Sequence, residues 1–207
     1  MKKRIVILGN GSTGILAANR LRRRYDESEF QIVVVGKYDT RDHEVELLMA
    51  IGVLGSHTLL PPEDGRLRAG IDFRHTEIGS VDVARREVCC TDGSSIGYDV
   101  LVVATGARPV PTPDGVLYGG ARYVVRSAGL GDACGLVRVD PRTLQSRATP
   151  EVFAIGAATG TPADTGAGAH VAVEHLVAGV REFLTRTADQ ASVSVPAREP
   201  RDAAQPS

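Results

Sequence analysis

Gly9, Gly11 and Gly14 stand in the spacing G-x-G-x-x-G, and they are the residues of this chain whose types most directly match one kind of chemistry. That chemistry is the holding of a pyrophosphate against backbone amides. At the first position glycine permits a tight turn, and at the second it lets a phosphate reach the backbone with no Cβ between them. At the third it lets a helix lie close to a strand. Ser12 and Thr13 fill the two places before the third glycine, where the first amides of a helix face outward and the helix dipole favours an anion. An ordinary glycine-rich turn that binds nothing is the competing explanation, because glycines also fall into this spacing by chance.

Other reactive groups are scattered. Cys89 and Cys90 are neighbours in an expected strand, so their side chains point to opposite faces and suit a structural role as small apolar groups. Cys134 is a lone thiol in a weakly patterned connection. His170 and His175 fall on one expected helix, five residues apart and therefore about 140° around its axis, which does not suit two ligands of one metal. His43, His57 and His75 have no Cys or acid cluster at ligand spacing, and no metal site or Ser-His-Asp constellation is expected.

The elements that must position the glycine loop are legible on either side of it. Ile5 to Leu8 is an uninterrupted apolar run, as in a strand buried on both faces of a parallel sheet. After the glycines, Ile15, Leu16, Ala18 and Leu21 form the apolar stripe of a helix that ends in Arg22 to Arg24, cations suited to a helix C-terminus. Gln31 to Val35 is a second strand. Strand, glycine turn, helix and strand within about 30 residues is the context that gives the fingerprint its meaning. That fingerprint also asks for an acid about 20 residues on, at the end of the second strand, to bind a ribose. Gly36 stands there, followed by Lys37. The pair predicts either a weakened ribose contact or, through Lys37, reception of a 2′-phosphate.

Further along, the pattern predicts a helix over 42–54 and a break at Pro61-Pro62. Short strands at Ile71 to His75, Ile78 to Asp82, Glu87 to Cys90 and Ser95 to Tyr98 read together as a small antiparallel meander. Asp99 to Ala104 is another buried parallel-type strand, ended by Thr105-Gly106. A strand is expected at Tyr123 to Val125, and two more at Leu136 to Val139 and Val152 to Ile155. A helix is expected over 167–187, and a polar, proline-containing tail from 189 reads as disordered.

The chain has 207 residues, 43% of them hydrophobic, with 24 Lys+Arg against 25 Asp+Glu for a net charge of -1. That length can bury a core without disulfides or metals, and the near-zero charge gives no long-range attraction for nucleic acid. Three cysteines make no disulfide framework, no signal-peptide pattern opens the chain, and no apolar run reaches the roughly 18 to 20 residues that span a bilayer. A cytoplasmic protein without an integral membrane segment and without a nucleic-acid partner is therefore expected.

Three segments in order carry a family likeness: Arg4 to Gly14 (RIVILGNGSTG), Tyr98 to Pro109 (YDVLVVATGARP) and Val139 to Ala158 (VDPRTLQSRATPEVFAIGAA). Together they resemble the FAD-binding domain of the pyridine nucleotide-disulfide oxidoreductase superfamily, and more narrowly its sulfide:quinone oxidoreductase and type II NADH dehydrogenase branch. The resemblance covers about three quarters of the chain. It implies an α/β, Rossmann-like FAD-binding domain with a central parallel sheet, helices on its faces and a small antiparallel meander. It also implies a flavin cofactor and electron transfer, with a quinone or another electron acceptor as partner. On this reading the FAD residues are Gly9, Gly11, Ser12, Thr13, Gly14, Lys37, Ala104, Thr105, Gly106, Gly156, Ala157 and Gly168. Cys134 is the candidate redox thiol, although a lone thiol cannot form the intramolecular disulfide used by the sulfide-oxidising branch.

Two departures qualify that implication. Ala157 stands where the family has an aspartate for the ribityl chain, and with Gly36 two polar anchors are missing. At about 1 kcal/mol each, that predicts FAD binding weakened by one to two orders of magnitude. Only residues 110–134 separate Pro109 from Gly135, where the family inserts a whole NAD(P)-binding domain. The resulting organisation is a first part of the FAD domain over 1–110, a short connection over 111–135, a returning part with the final helix over 136–188, and a tail over 189–207. A partner chain or a second copy is the implied source of the missing domains. The alternatives are a non-catalytic nucleotide-binding remnant and an NADP-binding reductase.

Overall fold

A computed structural model of the protein describes residues 2–36, 67–105, 108–112, 115–119, 125–126, 128–160 and 166–193. The fold is built on a parallel sheet of five strands: β1 (Lys3–Leu8), β2 (Phe30–Gly36), β3 (Ile71–His75), β7 (Val100–Val103) and β10 (Val152–Ala154). Their order across the sheet is β10-β7-β1-β2-β3. Helix α1 (Ser12–Arg24) joins β1 to β2, and helix α2 (Gly166–Val193) follows β10.

The uninterrupted apolar runs exist because both faces of the sheet are covered. Ile5 and Ile7 of β1 join Ile32, Val34, Val100, Val102 and Phe153 on the face packed by Leu16 and Leu21 of α1 and by Val173, Leu176 and Val180 of α2. Val6 and Leu8 turn to the opposite face with Val33, Val35, Leu101 and Val103, where Val81, Val88 and Tyr98 cover them. Those covering residues come from an antiparallel meander of β4 (Ile78–Asp82), β5 (Glu87–Cys90) and β6 (Ser95–Gly97) and from the residue that follows it. The cations at the end of α1 include a tether. Arg22 donates to the carbonyls of Phe30 at 3.0 Å and Gly70 at 3.2 Å, and also to that of Tyr25. Its guanidinium thereby ties the helix end to the approaches of β2 and β3.

Several sequence expectations are corrected. Ile71 to His75 does not belong to the meander; it pairs in parallel with β2, from Ile32↔Ile71 to Gly36↔His75. As an edge strand it is partly exposed along its length, and its polar residues alternate with apolar ones as in a ribbon. Leu136 to Val139 makes no strand; Val137 donates its amide to Ala158, and Val139 forms only an isolated bridge with Ser146. Val125 has helical rather than extended backbone. The final helix starts at Gly166 and runs through Val193, so residues 189–193, read as tail, are helical. A further hairpin, β8 (Arg108–Thr112) with β9 (Gly115–Gly119), opens the connection. The expected helix over 42–54, Lys37, Gly106, His43 and His57 lie outside the described residues.

Candidate functional site

Three chain segments leave the sheet at the same edge. Backbone bonds continue the ladder past the strand ends: Gly9 donates to Val35 (2.8 Å), Ala104 to Leu8 (2.9 Å) and Ile155 to Val103 (3.0 Å). Because β1 sits between β7 and β2, the turn after β1 opens at the point where the strand order reverses, the crevice in which open α/β sheets take ligands.

The three glycines of the loop are there for different reasons. Gly9 has φ +102°, a backbone conformation that glycine adopts without strain, and a Cβ on it would lie 2.6 Å from the Ala104 carbonyl oxygen and 3.0 Å from the Thr105 Cα. A Cβ on Gly14 would collide with the carbonyl oxygen of Gly9 and lie 3.5 Å from the Ala104 Cβ. Both positions are closed by the protein itself, through the loop and the β7 end. Gly11 is different. Its φ of -68° and ψ of 173° suit any residue, and a Cβ on it would meet no protein atom within 4 Å. Nothing in the fold among the described residues calls for glycine there, whereas an anion lying against the first turn of α1 does. Gly11 is also the N-cap of α1 and supplies no side-chain cap, and no acidic residue occupies the first turn.

Thr105, adjoining this loop, is 9% exposed, and its Oγ1 has no hydrogen-bond partner among the described residues. A buried hydroxyl is seldom left unpaired, so a polar ligand at this edge would complete it. Gly156, at φ +68°, comes close to α1: a Cβ on it would lie 3.7 Å from the Thr13 Oγ1. The structure thus brings together Gly9, Gly11, Thr13, Gly14, Ala104, Thr105 and Gly156 around the ends of β1, β7 and β10. Ser12 begins α1 beside them, and Ala157 follows in the 3-10 turn Gly156–Thr159. Gly156 also lines a groove of about 840 Å³ whose walls include Leu136, Leu144, Gly168, Val171 and His175. Gly168 is therefore joined to the glycine loop through Gly156. The groove is mainly apolar, with Val171 58% exposed on it.

Cys134 is exposed and does not line the groove; its amide donates to Asp132 Oδ1 at 2.9 Å. Asp132 does line it. The amides of Leu136 and Cys134 and the Arg138 guanidinium hold its carboxyl below the usual carboxylate range. Cys89 is half-buried and Cys90 buried, neighbours on β5, and burial pushes the Cys90 thiol up. His175 donates from Nδ1 to the Pro141 carbonyl at 3.2 Å, while among the described residues no group of three His, Cys, Asp or Glu is placed to hold a metal.

Asn10, inside the glycine loop, lies over the end of β2. A Cβ on Gly36 would land on the Asn10 carboxamide, 2.5 Å from its Cγ and 2.8 Å from its Cβ. The only signal for this contact is paired: an amide inside the glycine loop and a glycine where the fingerprint expects an acid.

A parallel sheet carrying a glycine loop at its topological switch point is a Rossmann-like domain, the class of fold that binds dinucleotides. The chain belongs to the pyridine nucleotide-disulphide oxidoreductase family, whose model matches residues 3–133. It is 31% identical over 121 residues to an NAD(P)H sulfur oxidoreductase (CoA-dependent) of Pyrococcus abyssi, covering 56% of this chain and 27% of that protein. It is 30% identical over 114 residues to putidaredoxin reductase of Pseudomonas putida, covering 53% and 26%. The chain thus spans about a quarter of the length of these relatives. The fold also matches a thioredoxin reductase structure from Gloeobacter violaceus with a TM-score of 0.56 at 15% identity, over 99% of this chain and 100% of that one. Among the described residues no helix is long and apolar enough to cross a membrane.

Proposed function

We propose that this chain is an FAD-binding module of a flavin-dependent oxidoreductase related to the sulfide:quinone oxidoreductases. The observation that carries the reading is Gly11, a glycine whose missing Cβ faces open space at the N-terminus of α1. Family membership supports it, as does the buried Thr105 hydroxyl beside the loop, which has no hydrogen-bond partner among the described residues.

When bound, FAD would supply two-electron and one-electron redox chemistry that side chains lack. The residues of this chain would do the holding. Backbone amides at Ser12 and Thr13 would bind the pyrophosphate, and Thr105 would donate its hydroxyl proton to a ligand oxygen. Gly156, with no side chain, would let the cofactor pass from the loop toward the groove. The apolar groove walls would exclude water from the reacting end, while Gly168 and the start of α2 would present helix amides there. Ala157 offers no side-chain hydrogen bond, so the middle of the cofactor would be held by backbone alone. The electron donor and the acceptor, a quinone or a redox protein, would come from outside this chain, and a partner chain would supply any NAD(P)H site.

Titration of the purified protein with FAD, followed by flavin fluorescence and calorimetry, tests the reading. One equivalent bound is expected, with Gly11→Val abolishing binding. No binding up to about 100 µM FAD, where a ligand worth even about 5 kcal/mol would register, overturns it. A second reading, a nucleotide-binding domain without turnover, is favoured by Ala157 and by the exposed position of Cys134 away from the groove. It expects weakly bound FAD or none, and no electron transfer from sulfide or NADH to a quinone.

A further inference from the structure

We infer that Asn10 reads the adenosine ribose of the bound dinucleotide, in the place the fold gives to an acid at the end of β2. The inference rests on the dinucleotide-binding reading above.

Gly36 is buried and ends β2, one residue past the point where Gly9 is hydrogen-bonded to Val35. Its own carbonyl accepts from the Thr76 amide at 3.1 Å, which fixes the backbone there. A side chain at 36 and the Asn10 carboxamide compete for one volume, since the first atom of the former would fall on the latter. The residue pair is thus an exchange: the polar group over the strand end comes from the loop instead of the strand. Asn10 is half-buried, at the mouth of the crevice.

The exchange alters the chemistry. An ionised acid only accepts hydrogen bonds, so it takes both ribose hydroxyls as donors and repels a 2′-phosphate. A carboxamide has one accepting oxygen and a donating NH₂. It can accept from one ribose hydroxyl and donate to the other, and it carries no charge to repel a phosphate. Gly36 therefore represents a relocated anchor, and Asn10 offsets part of the loss expected from a missing acid.

The test uses ADP, 2′-deoxy-ADP and adenosine 2′,5′-bisphosphate as probes, with calorimetric binding to the full chain. Wild type should bind ADP roughly 5- to 10-fold tighter than 2′-deoxy-ADP, the worth of one hydrogen bond. In Asn10→Ala that preference should fall below about twofold. The nearly isosteric Asn10→Asp keeps the shape, so it also covers the case in which Asn10→Ala fails to fold. It should keep the preference for ADP and lose roughly 10-fold in affinity for the 2′-phosphorylated probe. A 2′-hydroxyl preference undiminished in Asn10→Ala, or no penalty for the 2′-phosphate in Asn10→Asp, overturns the inference. ADP bound with this pattern while FAD is not bound overturns the FAD reading alone; binding of neither overturns both.

Discussion

The Arg86 guanidinium lies 3.1 Å from the Glu151 carboxylate and joins the β4–β5 turn to the turn that leads into β10. Glu151 is 6% exposed, and its carbonyl accepts from the Leu101 amide at 3.0 Å; the Arg86 carbonyl accepts from the Tyr98 amide at 2.8 Å. The pair thus clamps the meander to the start of the strand that delivers Gly156. Removing the cation leaves a buried carboxylate without its partner. Arg86→Ala should cost about 2 kcal/mol, less than a fully buried pair because Arg86 is half-exposed, and Glu151→Gln added to it should restore part of the loss. Urea unfolding of the single and double variants checks this.

The loop glycines should separate by consequence. Gly9→Ala and Gly14→Ala each force a Cβ into backbone atoms and should destabilise by about 3 kcal/mol or more. Gly11→Ala should leave stability within about 0.5 kcal/mol of wild type while weakening nucleotide binding at least about tenfold. Equal destabilisation by all three would mean that Gly11 serves packing. Thermal unfolding alongside FAD titration measures both quantities.

Asn10 and Gly36 should show coupled energetics. Gly36→Ala introduces overpacking worth about 1 to 3 kcal/mol, and in an Asn10→Gly background most of that cost should vanish. A double-mutant cycle by chemical denaturation reads the coupling; additive effects would place Asn10 away from the end of β2.

How much of this was legible beforehand depended on whether the deciding physics was local. β1, β2, β7 and β10 announce themselves because a strand buried on both faces must be apolar at nearly every position. β3 does not, since IDFRH at the sheet edge alternates as a ribbon strand would, and its parallel pairing is decided by β2, from which more than 30 intervening residues separate it. Leu136 to Val139 has strand composition, but its backbone partners lie in two different loops. The glycine loop was readable as a motif, whereas the separate duties of its members depend on Ala104 and Thr105 arriving from β7. The contact of Asn10 with Gly36 leaves only a paired, non-local trace, an amide in the glycine loop and a glycine at the end of β2.

Tyr98 gives a pH prediction. Burial, reinforced by the nearby Glu151 and opposed by Arg86, pushes its phenol up to about 12 from the ordinary value of 10.0. The fold favours the neutral form, so this contribution to stability is full below pH 10 and is lost as pH rises toward 12. Tyr98→Phe should flatten that alkaline loss. Since the Tyr98 hydroxyl has no partner among the described residues, the change should cost less than about 0.5 kcal/mol at neutral pH. Phenolate absorbance and unfolding measured across the alkaline range test both.

The position of β10 at the edge of the sheet also imposes an order of events during synthesis. Until residues 152–154 emerge from the ribosome, β7 is an open edge, and the apolar face that Val173 and Leu176 later share with α1 is covered by α1 alone. The glycine loop has been translated by then, yet Gly156, its far wall, has not. A nascent chain halted near residue 133, where the family match ends, would carry an unpaired strand edge and an incomplete core, the condition in which edge-to-edge association competes with folding.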